Sequence, residues 1–210
     1  MPIEPVVTRL EVPPGMLGPD PVSIEVRCFI IVGTDRVVLV DAGPPGTGAV
    51  IGEALERAGA GWSDVSDIVL THSHFDHVGG LSEAAGRAAG ARIWAGTDDA
   101  GAIPVEGGRA VLPLLEGDLV GDLRVFHTPG HTPGHVSLLH EARSTLVVGD
   151  LVGSSDGELV FGPSAFTADP SRSRESLQRM VGLEPRRMLF SHGAEVPDPT
   201  SQVLRLLASI

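Results

Sequence analysis

The run Thr71-His72-Ser73-His74-Phe75-Asp76-His77 constrains this chain more than any other, because it sets four metal-binding side chains directly behind the apolar run Asp67-Ile68-Val69-Leu70. Imidazole and carboxylate suit zinc and, less selectively, iron or manganese. On a helix such ligands stand four apart, as in H-E-x-x-H. The alternation of ligand and spacer here suits a loop wrapping around ions instead. A lone histidine on an apolar face is ordinarily a satisfied core or surface residue. Four such groups between an apolar strand and Val78-Gly79-Gly80 are not explained that way.

Three more segments complete the constellation. The loop His127-Thr128-Pro129-Gly130-His131-Thr132-Pro133-Gly134-His135 offers further imidazoles. Leu146-Val147-Val148-Gly149-Asp150 reads as a buried strand ending on a carboxylate, and Met188-Leu189-Phe190-Ser191-His192-Gly193 as one ending on an imidazole. All the candidate ligands therefore sit at strand ends. Three neutral imidazoles hold one divalent ion with a position left open, an imidazole and carboxylate set holds a second, and Asp150 can bridge the two. Water shared by two cations loses its proton near neutral pH, against about pH 15.7 for bulk water. The resulting hydroxide attacks an electron-poor acyl carbon while a metal stabilises the tetrahedral oxyanion. That chemistry is hydrolysis of an ester, thioester, lactone or amide.

Together these segments resemble the metallo-β-lactamase superfamily over roughly Val26 to Gly193. Its HxHxDH loop falls at His72, His74, Asp76 and His77, its next motif at His131, its bridging aspartate at Asp150 and its final histidine at His192. The resemblance implies an α/β fold, a four-layer αββα sandwich of the metallo-β-lactamase type, with the metals at the seam of two βα halves. It implies two divalent metal ions, zinc by default, with iron or manganese as alternatives. His72, His74 and His131 would bind the first ion, Asp76, His77 and His192 the second, and Asp150 would bridge them. Asp76 and Asp150 are the catalytic candidates. A ligand carboxylate at Asp76 lies within reach of the scissile bond and can protonate the leaving group. His131 is preferred to His135 because family members bind through the first histidine of the TPGHTPGH segment. His135 and His127 are then supporting or core groups, and His140 an ordinary strand-end residue. Asp41, in Leu39-Val40-Asp41-Ala42-Gly43, matches the family's first motif, whose carboxylate supports the metal loop by hydrogen bonds without ligating.

The expected partner is a small-molecule acyl substrate. Glyoxalase-II-type thioesterases share the TPGHTPGH style but carry a C-terminal helical domain, and this chain ends 18 residues after His192. Homoserine-lactone hydrolases resemble it in the full ligand set but usually place a tyrosine over the lactone carbonyl, and the chain has no Tyr. β-Lactamases of this fold normally lack the bridging Asp and are exported. A general metal-dependent acyl hydrolase leads. A mononuclear iron oxygenase acting on persulfides and a non-catalytic metal-binding protein remain as alternatives.

Composition sets the outer bounds. A chain of 210 residues, 42% hydrophobic and 20% charged, can bury roughly 70% of its unfolded surface as one domain, here residues 1–210. Aromatics are only 4%, so the core must come from Val, Leu, Ile and Ala. Cys28, the single cysteine, lies in an apolar strand pattern and reads as a structural thiol. The formal charge is −12, and all 15 basic residues are Arg scattered among 27 acids. That disfavours nucleic acid, which needs a basic track. No run approaches the roughly 18 apolar residues of a membrane span. The N-terminus Met1-Pro2-Ile3-Glu4-Pro5-Val6 has no leader pattern, so a cytoplasmic protein without a membrane partner is expected. Oligomeric state is left open.

Periodicity predicts strands over Val22 to Val32 and Arg36 to Asp41 around the hairpin signal Gly33-Thr34-Asp35. Helices are expected over Ala49 to Ala58, Leu81 to Ala89, Arg172 to Val181 behind the cap Asp169-Pro170-Ser171, and Thr200 to Ala208. Further strands fall at Asp67 to Leu70, Arg92 to Trp94, Leu123 to His127, Ser137 to His140, Thr145 to Val148 and Met188 to Ser191. The Gly/Pro-rich stretch Gly96 to Gly117 reads as a long loop bordering the site. With Leu151 to Ala168, which carries Phe161 and Phe166, it is expected to form the substrate walls.

Overall fold

The computed structural model describes residues 3–34 and 36–209. Asp35 of the hairpin signal, Met1 and Pro2 of the N-terminal pattern, and Ile210 lie outside the described residues. Strands β1 (Ile3–Val12), β2 (Val22–Val32), β3 (Val37–Val40), β4 (Val65–Leu70), β5 (Arg92–Gly96) and β6 (Val111–Leu114) form one sheet in that order. Its first three strands are antiparallel and β3 to β6 run parallel. The second sheet contains β7 (Leu119–Val120), β8 (Leu123–His127), β9 (Val136–His140), β10 (Thr145–Gly149) and β13 (Arg187–Phe190), in the order 13-10-9-8-7. Here only β10 and β13 are parallel. A small hairpin, β11 (Gly153–Ser155) with β12 (Glu158–Val160), follows β10.

The strand period of two assigns the layers. In β3, Val38 and Val40 face the other sheet while Val37 and Leu39 face outward; in β4, Val69 faces in while Ile68 and Leu70 face out. The inward residues meet Leu123, Val125, Leu138, Val147 and Leu189 of the second sheet in a shared core. The outward residues of the first sheet are covered by Ile51, Ala54 and Leu55 of α1 (Gly48–Arg57) and by residues of α3 (Leu81–Arg87), with the single turn α2 (Phe75–Val78) between these helices in sequence. On the far side, Leu146, Val148, Met188 and Phe190 pack against Leu177, Met180 and Val203 of α5 (Pro170–Val181) and α6 (Pro199–Ala208). The order is therefore helix, sheet, sheet, helix, an αββα sandwich. Strands buried on both faces explain the continuous apolar runs. Each fully buried Leu or Ile contributes about 1.5–3 kcal/mol.

Most predicted elements are present, with α5 capped by Asp169, whose side chain accepts from the Arg172 N–H at 3.0 Å. The stretch 96–117 departs from expectation. It is not a long loop but holds α4 (Thr97–Ala100), a short 3-10 turn at Glu106–Gly108 and strand β6. Strand β6 contains Pro113 and occupies the sheet edge, where a proline costs no ladder bond on the open side. Arg109 ties this stretch down by donating to the carbonyls of Ala85 and Ala91 at and just beyond the C-terminal end of α3. Strand β1, absent from the predicted elements, pairs with β2 along all ten of its residues. Among the described residues no helix is long and apolar enough to cross a membrane.

Cys28 is fully enclosed in the core between the first sheet and its helices. Burial, then the negative charges of Asp41 and Asp76, push its thiol well above the usual range. The native protein should therefore leave a thiol-reactive disulfide reagent unconsumed and titrate one equivalent only in denaturant. Prompt reaction of the native protein would place this thiol at an open surface.

Candidate metal centre

Strands β3, β4, β10 and β13 all run their C-terminal ends to the same edge of the sandwich, so the residues that follow them meet there. Asp41 follows β3 in a left-handed backbone conformation, φ 61°. Its buried carboxylate accepts from the Thr71 N–H at 2.8 Å, the Thr71 hydroxyl at 2.9 Å and His77 Nδ1–H at 3.0 Å. The Thr71 hydroxyl, with its hydrogen donated to Asp41, accepts from His72 Nδ1–H at 3.0 Å. His192 Nδ1–H donates to the Glu25 carbonyl at 2.8 Å. In each of these three rings the outer partner holds the Nδ1–H and Nε2 is left facing inward.

What the inward nitrogens face is each other and two carboxylates. His72 Nε2 lies 3.1 Å from His74 Nδ1, and His131 Nε2 lies 2.9 Å from the same atom. Asp76 Oδ2 is 3.5 Å from His77 Nε2 and 3.3 Å from His192 Nε2. Asp150 Oδ2 stands between the two sets, 3.8 Å from His72, 3.5 Å from His131, 3.5 Å from His77 and 3.2 Å from His192 Nε2. Three overlapping groups, His72/His74/His131, His72/His77/Asp150 and Asp76/His77/His192, have donor atoms within 4.8 Å of one another. Zinc–nitrogen bonds of about 2.0–2.1 Å bring two donors on one ion to comparable separations.

The electrostatics divide the two groups: burial opposes the charged form of His77, but Asp150 and Asp41 push it well above the ordinary imidazole range. Burial lowers His72 well below the ordinary imidazole range, lowers His74 and brings His131 down to about 4, so these rings are neutral and keep a lone pair. Burial opposes ionisation of Asp150, but His192 and His77 outweigh it and hold the carboxyl well below its usual range. Burial likewise opposes the charged form of His192, yet Asp150 and Asp76 push it up to about 10. Buried His77 Nε2 and Asp150 Oδ1 have no hydrogen-bond partner. A buried polar atom left so costs about 1–3 kcal/mol. Both are atoms that a metal ion would satisfy.

His135 stands one step back. Its Nε2 accepts from the Asp150 N–H at 3.1 Å, so its proton is on Nδ1, which donates to Thr128 Oγ1 at 2.8 Å. Thr128 Oγ1 lies 3.0 Å from Ser137 Oγ, which donates to the Val148 carbonyl at 3.2 Å. This chain of bonds leaves and re-enters the backbone around Gly149, whose φ is 61° and whose Cβ, if present, would collide with His135 Nε2. His127 Nε2 bonds the Leu114 carbonyl at 2.9 Å, and His140 is buried at the end of β9. Sequence patterning passes over Asp99, a buried carboxylate on α4 that accepts from both the His72–His74 loop and the loop after His131. Its only local signal is an acid in the first turn of a short helix.

A family profile described as the metallo-beta-lactamase superfamily matches residues 24–192. The chain belongs to the metallo-beta-lactamase superfamily. Among curated superfamily relatives, a probable metallo-hydrolase, YflN of Bacillus subtilis, is 29% identical over 74% of this chain and 75% of its own. A hydroxyacylglutathione hydrolase of Cereibacter sphaeroides is 35% identical over 76% of this chain, which spans 58% of that protein's length. A metallo-beta-lactamase family protein from Thermus thermophilus superposes with a TM-score of 0.71 at 25% identity, covering 97% of this chain and 79% of its own. A second structure, TTHA1623 in a di-iron-bound form, gives 0.68 at 27% identity over 90% of this chain and 96% of its own.

Asp41 collects donors from two of the motif residues, so it should matter before any ion is present. Asp41→Asn turns an acceptor into a donor facing another donor and should cost about 1–3 kcal/mol in metal-free denaturant unfolding. An unchanged midpoint would remove Asp41 from this supporting role.

Proposed function

We propose that this protein is a dinuclear metal-dependent hydrolase that cleaves an ester, thioester or lactone bond in a small acyl compound. The observation that carries the proposal is the position of Asp150, one carboxylate oxygen within 3.8 Å of imidazole nitrogens from both donor sets. In this reading His72, His74 and His131 hold one ion, Asp76, His77 and His192 the other, and Asp150 joins them. Sets of imidazoles with one or two carboxylates suit zinc, with iron or manganese as alternatives; a relative of known structure holds two irons. When bound, the ions supply Lewis-acid polarisation of a carbonyl and a water of lowered pKa.

The chain's own groups supply the rest. Burial opposes ionisation of Asp76, but hydrogen bonding to His192 and the charge of His77 keep its carboxyl below the ordinary range. It is therefore ionised at rest, accepts a proton first, and only then can donate one to a leaving group. The relatives named hydroxyacylglutathione hydrolase act on an acyl compound, and the acyl part is what we carry over to this chain. We treat residues 1–210 as a single catalytic domain, which the core shared by both sheets supports. Of the expected walls, Phe166 is 36% exposed beside Thr167, whose hydroxyl lies 3.4 Å from His131 Nδ1. Phe161 packs against the outer core with Arg174 over its ring, so Phe166 is the better candidate for contact with an acyl chain.

Elemental analysis of protein purified without added metal, with a panel of lactone, thioester and β-lactam substrates, tests this proposal. Two divalent ions per chain and turnover of an acyl substrate are expected. Asp150→Ala should lower that turnover by more than about 100-fold with the fold retained. One tightly held iron with oxygen uptake on persulfides would overturn the proposal, as would full activity in Asp150→Ala.

A further inference from the structure

Asp99 belongs to none of the donor groups around Asp150, yet it is only 2% exposed. Its Oδ2 accepts from the Ser73 N–H at 2.8 Å and the Thr132 hydroxyl at 2.7 Å, and its Oδ1 accepts from the Gly134 N–H at 2.8 Å. Ser73 sits between His72 and His74. Thr132 follows His131. We propose that Asp99 is a positioning residue that clamps the His72–His74 loop to the His131 loop, and so sets the spacing of the three-imidazole group without touching an ion. This rests on the reading of that group as a metal site.

Three features carry the inference. An ionised carboxylate only accepts, and three donors from two distant segments converge on this one; a buried charge is retained only where such bonds satisfy it. The approach is also close at the backbone. A Cβ on Gly134 would collide with the Asp99 nitrogen and lie 2.7 Å from its Cβ, so the His131 loop lies directly against α4. Finally, the clamp is one-sided. His77 is held by Asp41 and His192 by the Glu25 carbonyl, and neither contact involves Asp99. One contact between the loops, His131 Nε2 to His74 Nδ1 at 2.9 Å, joins the residues next to those that Asp99 holds. The His131 loop keeps other ties, from the Ala168 N–H to the His131 carbonyl and from the Val136 N–H to the Thr71 carbonyl, so losing the clamp loosens the loop without unfolding it.

The test is titration of Zn²⁺ or Co²⁺ into metal-free wild type and Asp99→Asn, which keeps the side chain's size but points an amide N–H at a donor. Wild type is expected to take two ions. In Asp99→Asn one class should weaken by about 10–100-fold while the other stays within about threefold, with the Co²⁺ visible spectrum of the weakened class altered. Thr132→Val removes one bond of three and should give a smaller loss in the same class. Asp98→Asn removes the same charge from the exposed neighbouring position and should change neither. Without metal, amide exchange at Ser73 and Gly134 should accelerate in Asp99→Asn while that at Val136 does not. No ion bound by wild type would overturn the metal reading, leaving amide exchange to judge the clamp. Two ions in wild type with both classes unchanged, or equally weakened, in Asp99→Asn would overturn this proposal alone.

Discussion

A carboxylate taken out of water must be surrounded by donors or cations, and the working edge of this sandwich is arranged around three that obey that rule differently. Asp41 is met by one residue's backbone and hydroxyl and by an imidazole. Asp99 is met by two backbone amides and a hydroxyl. Asp150 is met by imidazole nitrogens at 3.2 to 3.8 Å and keeps one oxygen without a partner. The first two are closed and hold loops in place. The third keeps an open oxygen, as its proposed role between two ions requires.

The fold brings these carboxylates together by simple means. Strands whose two faces are both buried, such as β3, β4 and β10, fix their register through the inward and outward alternation of Val, Leu and Ile. Parallel strands end on the same edge, and residues just past their carboxyl ends are free of ladder bonds, the usual place for a site in sheets of this kind. The helices cover the outer faces and leave that edge to loops. The one turn of α2 then sets Asp76 and His77 side by side, with His77 Nε2 3.5 Å from both the Asp76 and the Asp150 carboxylates.

Much of this is legible in the sequence. His72, His74, Asp76, His77, His131, Asp150 and His192 stand out because imidazoles and carboxylates are clustered and placed after apolar runs, and they do converge in one place. The role of Asp41 as a holder is legible through its match to the family's first motif. Asp99 is not, since its three donors lie 26 to 35 residues away and nothing adjacent marks it. Strand β1 escapes notice because only Val6 and Val12 of its ten residues are buried, a weak pattern on a sheet edge. Strand β6 is hidden by Pro113 and by its Gly-rich approach. Phe161 shows the limit of composition as a guide, because a chain poor in aromatics uses this one mainly to pack its core.

Two ions sharing Asp150 are what the proposed chemistry stands on. Diffraction data collected on either side of the absorption edge of the metal found by elemental analysis would test that claim most directly. Two anomalous peaks flanking Asp150 are expected, one among His72, His74 and His131 and the other among Asp76, His77 and His192. A single peak, with the Asp150 carboxylate turned away from it, would contradict the claim.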